Sequence, residues 1–317
     1  MLQAIYSLLV IIIIIIIWKA TTSQQEIPQS SRQKDWVKHV YESTISVANN
    51  DAPLEEKATL AAAADRHSGA WLNAVPIQQN GLCLTNEELR IRVCIRLGLK
   101  MCLPQPCVCG ASIDAYGTHC FTCKRNSGKN ARHSMMNELL KHELTKCQIP
   151  SRLEPSGLSG FNGLRPDGVT CVPWSRGQPV AWDFTCVHTL CASHLRTTQG
   201  LVGEAARRAE AKKTAKYALS ATDVSFRPLA VESLGVLGPS AAEFITDLGR
   251  RQIDALKDTR AASLLLQRFS LQLQRGNTMY NNPYVLALIG RERQTRAIED
   301  ARRSRLRRHL RSGRRGP

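Results

Sequence analysis

The chain of 317 residues has no apolar run as long as the 18 or more residues expected of a transmembrane helix. Its longest run, residues 8–18, contains seven consecutive isoleucines, and counting from Ile5 extends it to only 14 residues. No lysine or arginine precedes this run, and the Trp-Lys-Ala at its end lacks the small-x-small pattern of a signal-peptide cleavage site. Three interpretations of residues 1–20 stay open: translated simple-repeat DNA, a signal anchor that reaches Met1, or a signal peptide.

Acidic residues are scarce relative to basic ones, 26 against 43, and the formal net charge is +17. Residues 301–317 contain eight arginines and no acid, and removing those eight charges still leaves +9. The net positive charge of the rest of the chain therefore predicts a polyanionic partner, a nucleic acid, independently of the tail. The tail, residues 278–317, is expected to be disordered and to bind phosphates, to act as a nuclear-import signal, or to serve as a solubilising end.

Eleven cysteines are an odd number, and five of them crowd into residues 102–123. Two close ligand pairs in this segment flank a loop that contains two glycines, and a tetrahedral zinc site needs that arrangement. The predicted ligands are Cys107, Cys109, His119 and Cys123, with Cys102 and Cys120 as spare candidates. The alternative is a disulfide pair in a secreted chain, but isolated cysteines inside apolar runs favour a reducing compartment with metal.

Two acids occupy comparable points of two short apolar strands. Asp167 opens a strand predicted over Gly168–Trp174, a Ser-Arg-Gly-Gln turn follows, and Asp183 lies in a strand predicted over Pro179–Val187. A hairpin of this length can place both carboxylates side by side, where they would bind magnesium or manganese for phosphodiester hydrolysis. The alternative is a hairpin whose acids only cap turns, because Pro-Asp-Gly is common turn chemistry.

The elements around this hairpin alternate between helix and strand. The pattern predicts a helix over residues 128–144, a short strand at 152–154, a helix over 203–220, a strand from 226, and helices at about 240–257 and 261–275. Lys213 and Lys216 share a face of the helix over 203–220, and a lysine near a bound phosphate stabilises developing negative charge. The expected class is α/β, a small mixed sheet flanked by helices, preceded by a helical region over residues 36–100.

The order of these motifs resembles the C-terminal restriction-like endonuclease of site-specific non-LTR retrotransposons, within the PD-(D/E)xK nuclease superfamily. The resemblance covers roughly residues 82–277 and rests on the cysteine cluster, Arg132-His133, Arg-Pro-Asp167, Asp183 and Lys213-x-x-Lys216-Tyr217. It implies that Asp167 and Asp183 bind the catalytic metal and that Lys213 or Lys216 is a displaced catalytic lysine. Lys213 is the favoured candidate, with Tyr217 packed beside it. It also implies a zinc knuckle over residues 101–125, an endonuclease domain over 126–277, and DNA or element RNA as partner.

The chain departs from the family pattern at two points. Thr185 stands where the superfamily usually has lysine, and no run resembles the two-aspartate motif of the polymerase expected upstream. Two functions follow: a nuclear, metal-dependent endonuclease that nicks one DNA strand, or a catalytically inactive, zinc-stabilised nucleic-acid-binding protein. A third hypothesis is a membrane-tethered protein anchored through residues 1–20, with residues 21–35, rich in Gln and Ser, as the linker.

Overall fold

A computed structural model describes residues 53–278, except 103, 108, 127, 159–160, 162, 192–193, 196–201 and 219–222. The predictions on the isoleucine run, the linker and the arginine-rich tail lie outside these residues. Among the helices that are described, none is both long and apolar enough to cross a membrane.

The N-terminal part of the described chain is helical, and residues 36–52 of the predicted helical region lie outside the described residues. Helices α1 (Leu54–Ala64) and α2 (Asn86–Leu97) are separated by two short 3-10 helices, Ala70–Asn73 and Gln78–Asn80. A capping box starts α2: the Thr85 hydroxyl accepts the Glu88 N–H at 3.1 Å, and the Glu88 carboxylate accepts the Thr85 N–H at 2.8 Å. The cysteine-rich segment follows as β1 (Gln105–Pro106), β2 (Ser112–Ile113) and α3 (Thr118–Thr122).

Four strands form a mixed sheet in the order β3-β4-β5-β6. After α4 (Gly128–Thr145), the strands β3 (Ser151–Leu153), β4 (Gly168–Thr170) and β5 (Val180–Val187) pair antiparallel. Helix α5 (Glu204–Tyr217) then leads to β6 (Ser225–Glu232), which pairs parallel with β5. The predicted α/β class with a small mixed sheet is therefore confirmed.

The two faces of the sheet are covered by different helices. Helices α6 (Pro239–Leu256) and α7 (Ala261–Asn277) pack with α4 against one face, in a core that includes Trp182 and Phe184. The other face carries Val169 and Ala181, which pack with Tyr217 of α5. Because strand side chains alternate, Asp183 lies on the face of Ala181, toward α5. The fold thereby brings the second acid to the helix that bears both candidate lysines.

The strand predicted over Gly168–Trp174 is shorter than expected and ends at Thr170. The Thr170 hydroxyl donates to the Val172 carbonyl at 2.8 Å and accepts the Val180 N–H at 3.0 Å, so a side chain replaces the strand pairing there. The predicted turn forms beyond this point, with positive φ at Arg176 (51°) and Gly177 (75°). Two central residues of positive φ are the geometry that matches the twist of a hairpin.

A buried charge network joins α4 to the last two helices. Glu143 is fully buried, and its carboxylate accepts hydrogen bonds from Arg268 at 2.8 and 3.0 Å, Lys146 at 2.8 Å and Gln252 at 2.7 Å. Burial opposes ionisation, yet the hydrogen bonds from Arg268, Lys146 and Gln252 outweigh it and hold the pKa of Glu143 below its ordinary value.

We expect Arg268→Met to lower the free energy of unfolding by about 3 kcal/mol, because it leaves Glu143 as an incompletely paired buried charge. Urea unfolding followed by circular dichroism measures the change. Arg250→Met is the matched control, since Arg250 forms an exposed ion pair with Asp247 and its loss costs less than about 1 kcal/mol. Equal effects of the two substitutions would show that the buried network contributes no more than a surface pair.

Candidate active site and metal centre

The two predicted acids lie at the end of the antiparallel pair β4–β5. Gly168 pairs with Trp182 and Val169 with Ala181, so Asp167 and Asp183 directly adjoin the last pair of this ladder. The Asp167 N–H donates to the Trp182 carbonyl at 2.9 Å, which anchors the first acid to the residue before the second. Both acids are therefore held at the same end of the β4–β5 pair.

The glycine after Asp167 has a packing role and forms no turn. Gly168 lies inside β4, and a Cβ atom at this position would collide with the Trp182 indole. Trp182 is fully buried, and its indole N–H donates to the Asn137 side-chain oxygen at 3.0 Å. The glycine of Pro-Asp-Gly is therefore required for packing inside the sheet, and this sequence does not form the turn that would otherwise account for Asp167.

Asp167 is held from two directions. One carboxylate oxygen accepts the backbone N–H of Phe184 at 2.6 Å and lies 2.8 Å from His133 Nε2. The hydrogen bond to Asp167 raises the pKa of His133 against the opposing effect of burial, and the charges of Asp167 and Asp183 raise it further. His133, from the Arg-His motif of α4, therefore contacts the first acid, a contact that the sequence did not predict.

Asp183 is almost completely buried, at 4% exposure, and is held by α5. Lys213 Nζ lies 2.7 Å from Oδ1 and 2.8 Å from Oδ2, and the Tyr217 hydroxyl donates to Oδ2 at 3.0 Å. Burial, followed by the charge of Asp183, raises the pKa of Tyr217 well above its ordinary value, so the phenol remains a neutral donor. Of the residues in this environment, Tyr217 is the one whose direct bond to the acid the sequence pattern did not predict.

The two candidate lysines have different environments. Lys213 contacts Asp183, whereas Lys216 is exposed and its ammonium lies 5.2 Å from the centre of the Tyr217 ring. Within the described chain, no ion pair joins Lys216 to Asp167 or Asp183. Thr185 and Lys213 line the same two cavities, so the lysine from α5 reaches the region beside Thr185.

The cysteine-rich segment brings its four predicted ligands together. Cys107 Sγ lies 3.7 Å from Cys123 Sγ, Cys109 Sγ lies 3.1 Å from His119 Nε2, and the ligand atoms of all four residues lie within 4.8 Å of one another. Three thiols and one imidazole at these distances can hold a metal ion such as zinc. The loop between the pairs turns at Gly110 and Gly117, with φ of 92° and 67°.

The spare candidates have other roles. The Cys102 thiol donates to the Asp114 carbonyl at 3.1 Å. Cys120 is buried, and burial raises the pKa of its thiol to about 12, which keeps it protonated. The sulfur of Cys120 is not among the four ligand atoms that converge, and its side chain packs beside the cluster.

Two basic cavities flank Lys213. A cavity of 550 Å³ lies between α3, α4 and β5, and one of 860 Å³ lies between β5 and α5. Among the described residues lining either cavity, none is acidic, while basic side chains are numerous. The first is lined by Lys129, Arg132 and Lys213, and the second by Arg208, Lys212, Lys213 and Lys216.

A scan of protein-family models finds no match to this chain, and a search of curated proteins finds none either. The geometry of the acids, the lysine and the cysteine cluster therefore carries the functional argument.

Proposed function

We propose that the chain is a metal-dependent DNA endonuclease module that nicks one strand and is related to the restriction-like endonucleases of non-LTR retrotransposons. The observation that carries the proposal is that Asp167 and Asp183 are held at the same end of the β4–β5 pair, with Lys213 bound to the second acid. Supporting it, the element order α4-β3-β4-β5-α5-β6 places acids on a hairpin and the lysine on the following helix. DNA is the proposed partner, and the nucleus the proposed compartment.

The donor set fits magnesium or manganese. Two carboxylates at the end of the β4–β5 pair supply the hard oxygen ligands that these cations prefer, near a cavity without acidic side chains among the described residues. When bound, such a cation supplies the polarisation of a phosphoryl oxygen and a more acidic water. Asp167 and Asp183 would hold it, since both carboxylates are already oriented by the Phe184 N–H and the Tyr217 hydroxyl.

Lys213 provides the remaining electrostatic element. Its ammonium is anchored on Asp183, but the flexible four-carbon stem lets it turn toward a phosphate in either adjoining cavity. A positive charge placed where negative charge develops stabilises the transition state of phosphoryl transfer. Lys213 thus takes the role that a lysine at Thr185 would have in ordinary relatives.

For the cysteine cluster we propose zinc in a structural role. Four protein ligands leave no open position for substrate, which is the pattern of structural rather than catalytic zinc. The cluster is coupled to the sheet, because Phe121 of α3 stacks on His188 at the end of β5 with ring centroids 4.6 Å apart. A metal here would therefore fix one wall of the cavity beside the acids.

The second candidate function is a catalytically inactive, zinc-stabilised nucleic-acid-binding protein. It is favoured by Thr185 and by the way Lys213 satisfies both oxygens of Asp183, which is a stable ion pair without any cation. Supercoiled plasmid separates the two functions. With the full chain and magnesium or manganese, the endonuclease converts supercoiled DNA to open circles; binding without any nicking in either metal would support the inactive protein.

The two lysines form a matched pair of variants on one helix. Lys213→Met removes the charge at Asp183, and we expect nicking to fall about 10²- to 10³-fold, the range for loss of one transition-state-stabilising donor. Lys216→Met removes the same charge three residues away on an exposed position, and nicking should stay within about threefold of the parent. Initial rates on supercoiled plasmid at saturating metal measure both. A larger loss at Lys216 would move the catalytic lysine to that residue.

A further inference from the structure

Arg132 is a buried cation that has no acidic partner in the part of the chain that the structure describes. Its residue exposure is 7%, and one guanidinium nitrogen donates to the Asn277 side-chain oxygen at 2.7 Å. No carboxylate of the described residues forms an ion pair with Arg132 or with neighbouring Lys129. Buried charges are costly unless they are paired, so an unpaired guanidinium beside an open cavity indicates an anion supplied from outside the chain.

His188 lines the same cavity and has a ring nitrogen without a partner. The residue is 9% exposed. Its Nδ1 lies 2.8 Å from the Ser233 hydroxyl, and its buried Nε2 has no hydrogen-bond partner among the described residues. Burial, followed by the charges of Arg132 and Lys129, lowers the pKa of His188 to about 3, so the ring is neutral. The tautomer of the ring depends on whether the Ser233 hydroxyl donates or accepts the hydrogen bond to Nδ1.

The surrounding hydrogen bonds are compatible with the tautomer that carries its proton on Nε2. The Ser233 oxygen accepts the Thr189 N–H at 3.3 Å, which leaves the Ser233 hydroxyl proton able to donate to His188 Nδ1. In that arrangement the neutral ring carries its proton on Nε2. This nitrogen is then a buried donor without a partner, on a residue that lines the cavity.

Ser233 orients both donors. Its hydroxyl bonds to His188, while its carbonyl accepts from Asn277 Nδ2 at 2.8 Å, and Asn277 in turn accepts from Arg132. Gly276 leaves room for this arrangement, because a Cβ atom there would collide with the Arg132 side chain. A built support of this kind is expected where two donors must converge on a ligand.

We propose that Arg132 and the Nε2–H of His188 form a binding subsite for a second phosphate of the nucleic-acid strand whose scissile phosphate meets Asp167 and Asp183. The assignment rests on the proposed function for the identity of the strand. Arg132 and His188 line one cavity together with His133 and Lys213, the residues that contact Asp167 and Asp183. The strand would accordingly pass from His133 and Lys213 toward the cysteine cluster.

The salt dependence of binding tests the subsite without any requirement for cleavage. The full chain is titrated against a fluorescent single-stranded oligonucleotide at about 50–200 mM salt, with no added divalent ion. Arg132→Gln should weaken binding about tenfold and reduce the slope of log K against log salt by about 0.7, the value for one lost phosphate contact on a single strand.

His188→Phe keeps the ring stacked on Phe121 but removes a neutral donor, so it should weaken binding about 3- to 10-fold and leave the slope unchanged. Arg132→Lys keeps the charge and should retain the parental slope. Arg250→Gln, which removes an exposed arginine of α6, is the control and should change neither quantity. Zinc content and thermal unfolding of each variant are compared with the parent.

If Arg132→Gln folds and binds with the affinity and salt slope of the parent, the subsite is excluded. If Arg132→Gln does not fold, unchanged affinity in His188→Phe excludes it. The endonuclease proposal fails on a different result, the absence of metal-dependent nicking by the parent chain. A protein that binds DNA without nicking would still show the slope change at Arg132.

Discussion

Asp183→Asn is expected to reduce metal-dependent nicking by more than about a hundredfold, beyond the 10- to 100-fold cost of changing residues that only support metal ligands. The amide has nearly the shape of the carboxylate but lacks the charge that a hard divalent cation requires. It still accepts a hydrogen bond from Tyr217, so the fold is retained. Rates of plasmid nicking across a magnesium titration measure the loss.

The same variant separates catalysis from binding. Lys213 is partly accessible to solvent and can turn outward once its ion pair is lost, so the free energy of unfolding should fall by less than the roughly 3–5 kcal/mol that an unpaired buried charge costs. Oligonucleotide binding without metal should be equal to or stronger than that of the parent, because one negative charge has been removed. Asp247→Asn, at a partly exposed acid of α6, should leave nicking unchanged. Full activity in Asp183→Asn would exclude this carboxylate as a metal ligand.

The sequence predicted those parts of the site that depend on local residue patterns. The apolar run of β5 and the helical period of α5 predict their elements, and ligand spacing predicts the convergence of the cysteine cluster. In each case the residues are near in sequence or lie on neighbouring elements, so periodicity and loop length decide the outcome.

The parts that the sequence did not predict depend on contacts between distant segments. Nothing in the i, i+3 spacing of Lys213 and Lys216 decides which one meets Asp183; the packing of Tyr217 against Ala181 and Val169 sets the rotation of α5. The early end of β4 likewise depends on the Thr170 hydroxyl, since Val172 and Trp174 favour continued strand.

The environment of Arg132 likewise could not be predicted from the sequence. The Arg-His motif identifies Arg132 as a candidate. That its guanidinium donates to Asn277 and to no described carboxylate is known only once α4 packs against α7. His188 carries no sequence signal at all, because a histidine at a strand end is ordinary. Its unused Nε2 appears only through Ser233, 45 residues away.

Cys123→Ser is expected to abolish zinc binding, because Cys123 is 2% exposed and its sulfur lies 3.7 Å from that of Cys107 at the centre of the cluster. Structural zinc contributes about 10–16 kcal/mol of apparent binding free energy in small zinc-binding peptides, far more than β1, β2 and α3 can gain from apolar burial alone. These elements should therefore unfold, and Phe121 should leave His188.

Metal analysis of the purified chain and titration of reactive thiols measure this loss. The parent should hold one zinc ion and protect the thiols of Cys107, Cys109 and Cys123, whereas Cys123→Ser should hold none and expose the remaining two ligands to the reagent. Cys102→Ser is the matched control, since the Cys102 thiol bonds to a backbone carbonyl and should be dispensable for zinc. Far-ultraviolet circular dichroism should change little in either variant, because the main core around Trp182 and Leu248 contains none of the cluster. Zinc retained in Cys123→Ser but lost in Cys102→Ser would reassign the fourth ligand to Cys102 and contradict the geometry of the cluster.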